Sequence, residues 1–178
     1  MTTLNELSMY LIGITPLKRA LNNLAHILKK GEEYANDKKI EPAVLLNARL
    51  FPDMYPIIRQ VQIATDMSKG AAARLAGLDV PSYEDNETSF ADLQARIAKT
   101  LAFIESINAA QLENSEKRDI TITVRKVDLH FTGQDYLLKW VMPNVYFHVT
   151  TTYNILRHNG CALGKPDFLR LKDQLIAV

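Results

Sequence analysis

The sequence predicts an all-α fold, a bundle of about four long helices with one small β-hairpin between the third and the fourth. Three observations predict it. Apolar residues recur at three- and four-residue steps over long stretches, the pattern of amphipathic helices with one buried stripe. A single short stretch, Asp119 to Phe131, instead alternates apolar with polar residues, as strands do. The length of 178 residues, 47% apolar and 23% charged, suits one globular domain. A chain of that size buries roughly 70% of its unfolded surface and needs neither metal nor disulfide merely to fold.

Each element follows from its own residues. Leu4, Leu7, Leu11, Ile14, Leu21, Ala25 and Leu28 form the stripe of the first helix. Pro16 inside it removes one backbone bond, so a kink is expected there, with the stripe resuming in phase. The helix is expected to end near Gly31 to Tyr34, followed by a charged connection from Asn36 to Glu41. Pro52 and Pro56 punctuate the start of the second helix, whose stripe runs through Met54, Ile58, Val61, Thr65, Ala72 and Leu75 to a Gly77 cap. The small residues Gly70 to Ala73 permit close approach of a neighbouring helix. Leu78 to Glu87 reads as a loop. Ser89 and Asp92 form a capping box for the third helix, with a stripe of Phe90, Leu93, Ile97, Leu101, Ile104 and Ile107. Arg96 is expected on its exposed side.

In the hairpin a turn at Arg125-Lys126 would set Val124 against Val127, Ile122 against Leu129 and Ile120 against Phe131, all on one face. Thr132 is expected to cap the last long helix, from about Gly133 to His158, kinked at Pro143. Lys165 to Ala177 reads as a short amphipathic tail helix. No repeat or linker divides the chain, so residues 1–178 are read as one domain.

Composition also excludes. A net charge of +1 provides no basic excess for phosphates, which argues against nucleic-acid binding. No apolar run reaches the roughly 18 residues of a membrane span. The N-terminus lacks the marks of a signal peptide, and the lone Cys161 suits a reducing compartment, so a cytoplasmic location is expected.

Candidate chemistry gathers on two helices. Asn144, His148 and Thr152, at steps of four on the last helix, share one face with the apolar Leu137, Val141 and Ile155 and so point toward the interior. Arg59, Gln62 and Asp66 line up on the second helix at steps of three and four. With Lys69 they suit a solvated face as readily as a pocket wall. Facing polar groups are how bundles build ligand and metal sites. His26, His130 and His158 read as surface or helix-end residues, and Cys161, just past a helix cap, as a structural thiol. Phosphate-binding glycine loops, zinc-ligand pairs and nucleophile elbows are not present.

Three segments carry a resemblance: Ala48-Arg-Leu-Phe-Pro-Asp-Met54; Gln60-Val-Gln-Ile-Ala-Thr-Asp66 with Lys69-Gly-Ala-Ala-Ala-Arg-Leu-Ala-Gly77; and Tyr146-Phe-His-Val-Thr-Thr-Thr-Tyr-Asn-Ile-Leu-Arg-His-Asn-Gly160. Together they resemble one uncharacterised branch, family nineteen ninety-three among domains of unknown function, of the DinB/YfiT-like superfamily. The resemblance runs from about residue 5 to 170. It implies an antiparallel four-helix bundle, often a homodimer, in which three histidines bind a divalent metal and some members are transferases or hydrolase-like metalloenzymes. Here Gln62 matches the helix-two histidine, His148 one of the two on the last helix, and Thr152 the other. One imidazole with two neutral oxygens suits a borderline-soft metal poorly. The expectation is a pocket of Arg59, Gln62, Asp66, Asn144, His148 and Thr152 that takes a small molecule or a partner and no cofactor. The alternative is a hydrolase or transferase using His148 as general base, or in an unusual metal site with Asp66.

Overall fold

The computed structural model describes residues 7–170. It is mostly helical, with one two-stranded antiparallel sheet. A π-helical turn, Tyr10–Ile14, leads directly into α1, Thr15–Lys38. A short α2, Pro42–Leu46, follows, then α3, Ile57–Ala76, and α4, Phe90–Glu105. Two 3-10 turns precede strands β1, Asp119–Val124, and β2, Val127–Thr132. Then come α5, Gly133–Asp135, a second π-helical turn, Tyr136–Val141, and α6, Met142–His158. A final α7 spans Lys165–Leu169.

The long helices are α1, α3, α4 and α6. The most extensive packing is α3 on α6, and α1 and α3 each lie against both α4 and α6. The seam between α3 and α6 therefore runs along the heart of the molecule. One continuous core of Leu17, Leu21, Leu24, Leu28, Val61, Leu75, Ile97, Val145 and Ile155, among others, fills the space between the helices. α7 is pinned across α1 by Lys30 Nζ on Asp167 Oδ1 at 2.8 Å and by the Asn23 amide on the Phe168 carbonyl at 2.7 Å.

Most local signals act as read. Ser89 and Asp92 complete the capping box, Gly77 closes α3 at φ 72°, and the Thr132 hydroxyl accepts from the Asp135 amide. The hairpin has the expected register, Ile120 with Phe131, Ile122 with Leu129 and Val124 with Val127.

Four expectations are corrected. First, α1 runs to Lys38, past Gly31. A Cβ at Gly31 would stand 3.0 Å from the Leu156 methyls, so this glycine lets α1 approach α6 and does not stop the helix. Second, the stripe does not keep phase across Pro16. Leu7 and Leu11 are exposed while Ile14, Leu21 and Leu28 are buried. The π turn inserts one residue ahead of Pro16 and rotates the preceding face outward. Third, the last long helix is not α-helical throughout: a second π turn ends two residues before Pro143, as the first ends two residues before Pro16. Fourth, Arg96 is buried and Leu101 half-buried, because the inner face of α4 follows Leu93, Arg96, Ile97, Thr100 and Ile104. Leu4 and the last residues of the expected tail helix lie outside the described residues. Among the described residues no helix is long and apolar enough to cross a membrane.

Candidate functional site

On α6 the four-residue steps place Asn144, His148 and Thr152 along the side that packs on α3. Asn144 is half-buried, and its amide donates to the Trp140 carbonyl one turn back at 2.6 Å. Thr152 is fully buried and its hydroxyl donates to the His148 carbonyl at 3.0 Å. Both polar groups are thus satisfied within their own helix.

His148 reaches across the seam. Its Nδ1 lies 2.6 Å from Gln60 Oε1, while Gln60 Nε2 donates to the Tyr55 carbonyl at 2.9 Å. Because the amide nitrogen is the group that meets a carbonyl, the amide oxygen faces the ring, and Nδ1 carries the hydrogen. Nε2 is left as a lone pair with no hydrogen-bond partner among the described residues. Phe147 stands edge-on to the imidazole at 5.3 Å. Burial, aided by the Arg59 guanidinium, pushes the His148 pKa down to about 4. At neutral pH the ring is uncharged.

The polar residues of α3 belong to a second network. Arg59 Nη1 donates to Gln62 Oε1 at 3.1 Å and pairs with Asp85. Gln62 Nε2 donates to Glu87 Oε2 at 2.8 Å. Arg96 is the hub: Nε meets Thr65 Oγ1, Nη1 meets Glu87 Oε1 and the Glu84 carbonyl, and Nη2 meets Asp66 Oδ1, with separations of 2.8–2.9 Å. Lys69 completes it, 2.6 Å from Asp66 Oδ1 and 3.9 Å above the Tyr83 ring. Burial alone would raise the Glu87 carboxyl, but the bonds from Arg96 and Gln62 outweigh it and hold the group below the usual range. The network straps the loop Leu78–Glu87 onto α3 and α4. Gln62 and Lys69 are buried, so this side of α3 is not a plainly solvated face.

The six residues singled out in the sequence therefore divide. Arg59, Gln62 and Asp66 join the strapped loop, His148 stands at the seam with Arg59 as its charged neighbour, and Asn144 and Thr152 bond back into α6. Gln62 and His148 share no hydrogen bond. Gln60 is the partner that sequence reasoning missed. Its signal was there, a polar residue at a stripe position between Ile57 and Ala64. As metal donors the set is partly committed: Gln62 Oε1 accepts from Arg59 and Asp66 Oδ1 from Lys69 and Arg96, while the Thr152 hydroxyl gives its hydrogen to a carbonyl and has only a neutral oxygen to offer. Among the described residues no three His, Cys, Asp or Glu side chains are grouped to hold a metal ion.

The profile of a domain of unknown function, DUF1993, matches residues 9–169. The chain belongs to the DUF1993 family. A crystal structure described as a DinB family member from Shewanella denitrificans is 40% identical to this DUF1993 chain and superposes with a TM-score of 0.85, over 90% of this chain and 91% of that one. This places the DUF1993 chain among DinB family proteins, as the three segments implied. No curated protein matches it.

Proposed function

We propose that this DUF1993 protein is a DinB-type four-helix bundle whose family metal site has become a metal-free pocket recognising a small molecule at the α3–α6 seam. One observation carries the reading: Gln60 fixes the His148 tautomer, so that Nε2 keeps a lone pair with no hydrogen-bond partner among the described residues, within the field of the Arg59 guanidinium. That pairing suits a ligand with a hydroxyl or N–H to donate to Nε2 and an electron-rich group near the guanidinium. The donor set does not fit a divalent cation. It offers one imidazole nitrogen, with Gln62 Oε1 and Asp66 Oδ1 already bonded to cationic side chains, Thr152 a neutral hydroxyl, and the field of Arg59 opposing a cation at His148. The protein acts in the cytoplasm, as a homodimer.

Elemental analysis after dialysis tests the metal, and sub-stoichiometric zinc and nickel are expected. A full equivalent, lost on His148→Ala, would overturn the reading. Nitrogen NMR of the imidazole should show the Nδ1–H tautomer, with Nε2 the resonance that moves when a screened hydroxyl-bearing compound binds. The same lone pair supports a second reading, a hydrolase or transferase with His148 as general base. A base with a pKa near 4 removes protons weakly, which favours recognition over catalysis.

A further inference from the structure

A cleft of about 450 Å³ lies away from His148, where α3, the loop at Val80–Tyr83, the hairpin and the second π turn meet. Met67, Val80, Pro81, Ile122, Val124 and Trp140 supply apolar wall, and Arg74 and Tyr136 supply donors. Its size is within the range of small-molecule sites.

The charge in this cleft is unbalanced. Lys69, at its edge, is neutralised by Asp66. Arg74, half-buried, pairs with no carboxylate among the described residues; its partner is the Tyr136 hydroxyl, to which Nη1 donates at 3.0 Å. Tyr136 is 1% exposed, and its oxygen accepts that bond while its own hydrogen meets no acceptor among the described residues. Burial raises the phenol pKa, partly offset by Arg74, so the hydroxyl keeps its proton at neutral pH. Two adjacent groups thus have hydrogens to give, one of them carries an uncompensated charge, and neither has an anion to receive them. The arrangement is also built in. A Cβ on Gly70 would stand 2.5 Å from Arg74 Nη1, so glycine at that position leaves room for the guanidinium beside the phenol, and a side chain there would make it shift. The widened turn sets Tyr136 and Trp140 on the same wall.

We infer that this cleft binds a small monocarboxylic acid with an apolar body, its carboxylate held by Arg74 and Tyr136 and its body against Trp140, Ile122 and Val124. A guanidinium fork matches a carboxylate, and the phenol adds a second donor to it. One guanidinium balances a monoanion and leaves the second charge of a dianion such as phosphate unmatched against a largely apolar wall. This site is independent of the His148 pocket.

Titration calorimetry on the full chain tests it, with phenylacetate as the probe, 2-phenylacetamide as its neutral counterpart and inorganic phosphate as the competing anion. Phenylacetate should bind saturably and shift the Arg74 Nε–H and Trp140 indole resonances. The amide and phosphate should bind at least about tenfold more weakly. Arg74→Gln should reduce phenylacetate affinity by a similar factor, and so should Gly70→Ala, which keeps the charge and favours the helix but displaces the guanidinium. His148→Ala should leave the affinity unchanged, so this site and the seam pocket stand or fall separately. Absence of saturable phenylacetate binding, undiminished binding in Arg74→Gln, or phosphate binding as tightly would overturn the inference.

Discussion

Burying an imidazole costs its charged form more than its neutral form, and His148 carries that cost as a dependence of stability on pH. The folded pKa is about 4 and the ordinary value 6.5, so the unfolded chain takes the proton first as pH falls. The stability that this group contributes is complete above pH 6.5 and is lost as the pH drops toward 4, by about 3 kcal/mol in all. Urea unfolding at a series of pH values should show this decline, and His148→Gln should flatten it in that window. Arg96 carries a second prediction. Removing a buried guanidinium leaves the buried side chain of Glu87 without its cation and Asp66 with Lys69 alone, so Arg96→Ala should cost about 3–5 kcal/mol in the same assay. Leu101→Ala, at a half-buried position, should cost about 1 kcal/mol. The order is the reverse of what the apolar pattern of α4 suggests. Periodicity reports where hydrocarbon is buried and says nothing of a cation that carboxylates from another segment draw inward. Arg96 and Gln60 were hidden for that reason, whereas His148 and Thr152 were legible because apolar neighbours at helical steps surround them.

Among the elements, those specified by contacts a few residues apart were the legible ones. The hairpin register, the Ser89–Asp92 box and the Gly77 cap all depend on neighbours in sequence. The end of α1 was not legible, because Gly31 answers to Leu156, which is distant in the chain. The π turns were not legible either; a proline announces a disturbance without saying that the helix will widen to absorb it. The hairpin turn carries visible strain. Arg125 and Lys126 both sit in the left-handed region, at φ 49° and 68°, where side-chain-bearing residues are disfavoured. Replacing the pair by Asn-Gly should stabilise the protein by about 1 kcal/mol, read as a raised melting temperature with an unchanged circular dichroism spectrum.

At the scale of the whole molecule the two-stranded sheet pairs with no further strand among the described residues, and Phe51, Tyr55, Tyr146 and Phe147 leave aromatic surface exposed. Such features favour association. Sedimentation at micromolar concentration should give about twice the mass of one chain, and a monomer there would refute the dimer. Cys161 reports the opposite property, closure. It is 1% exposed, its thiol is pushed up by burial, and Sγ lies 3.5 Å from the Lys30 carbonyl. A thiol reagent should therefore label the native protein slowly and the urea-unfolded chain at once. Trp140, finally, is the only tryptophan in the sequence, and it stands in the wall of the Arg74 cleft while leaning on Phe131 of β2 at 6.2 Å. The fluorescence of the unlabelled protein is thus dominated by one emitter, placed where the hairpin meets the helices. Detachment of the hairpin would expose the indole to water and redden its emission, while an acid seated beside it would alter the intensity, so one optical signal distinguishes the two events.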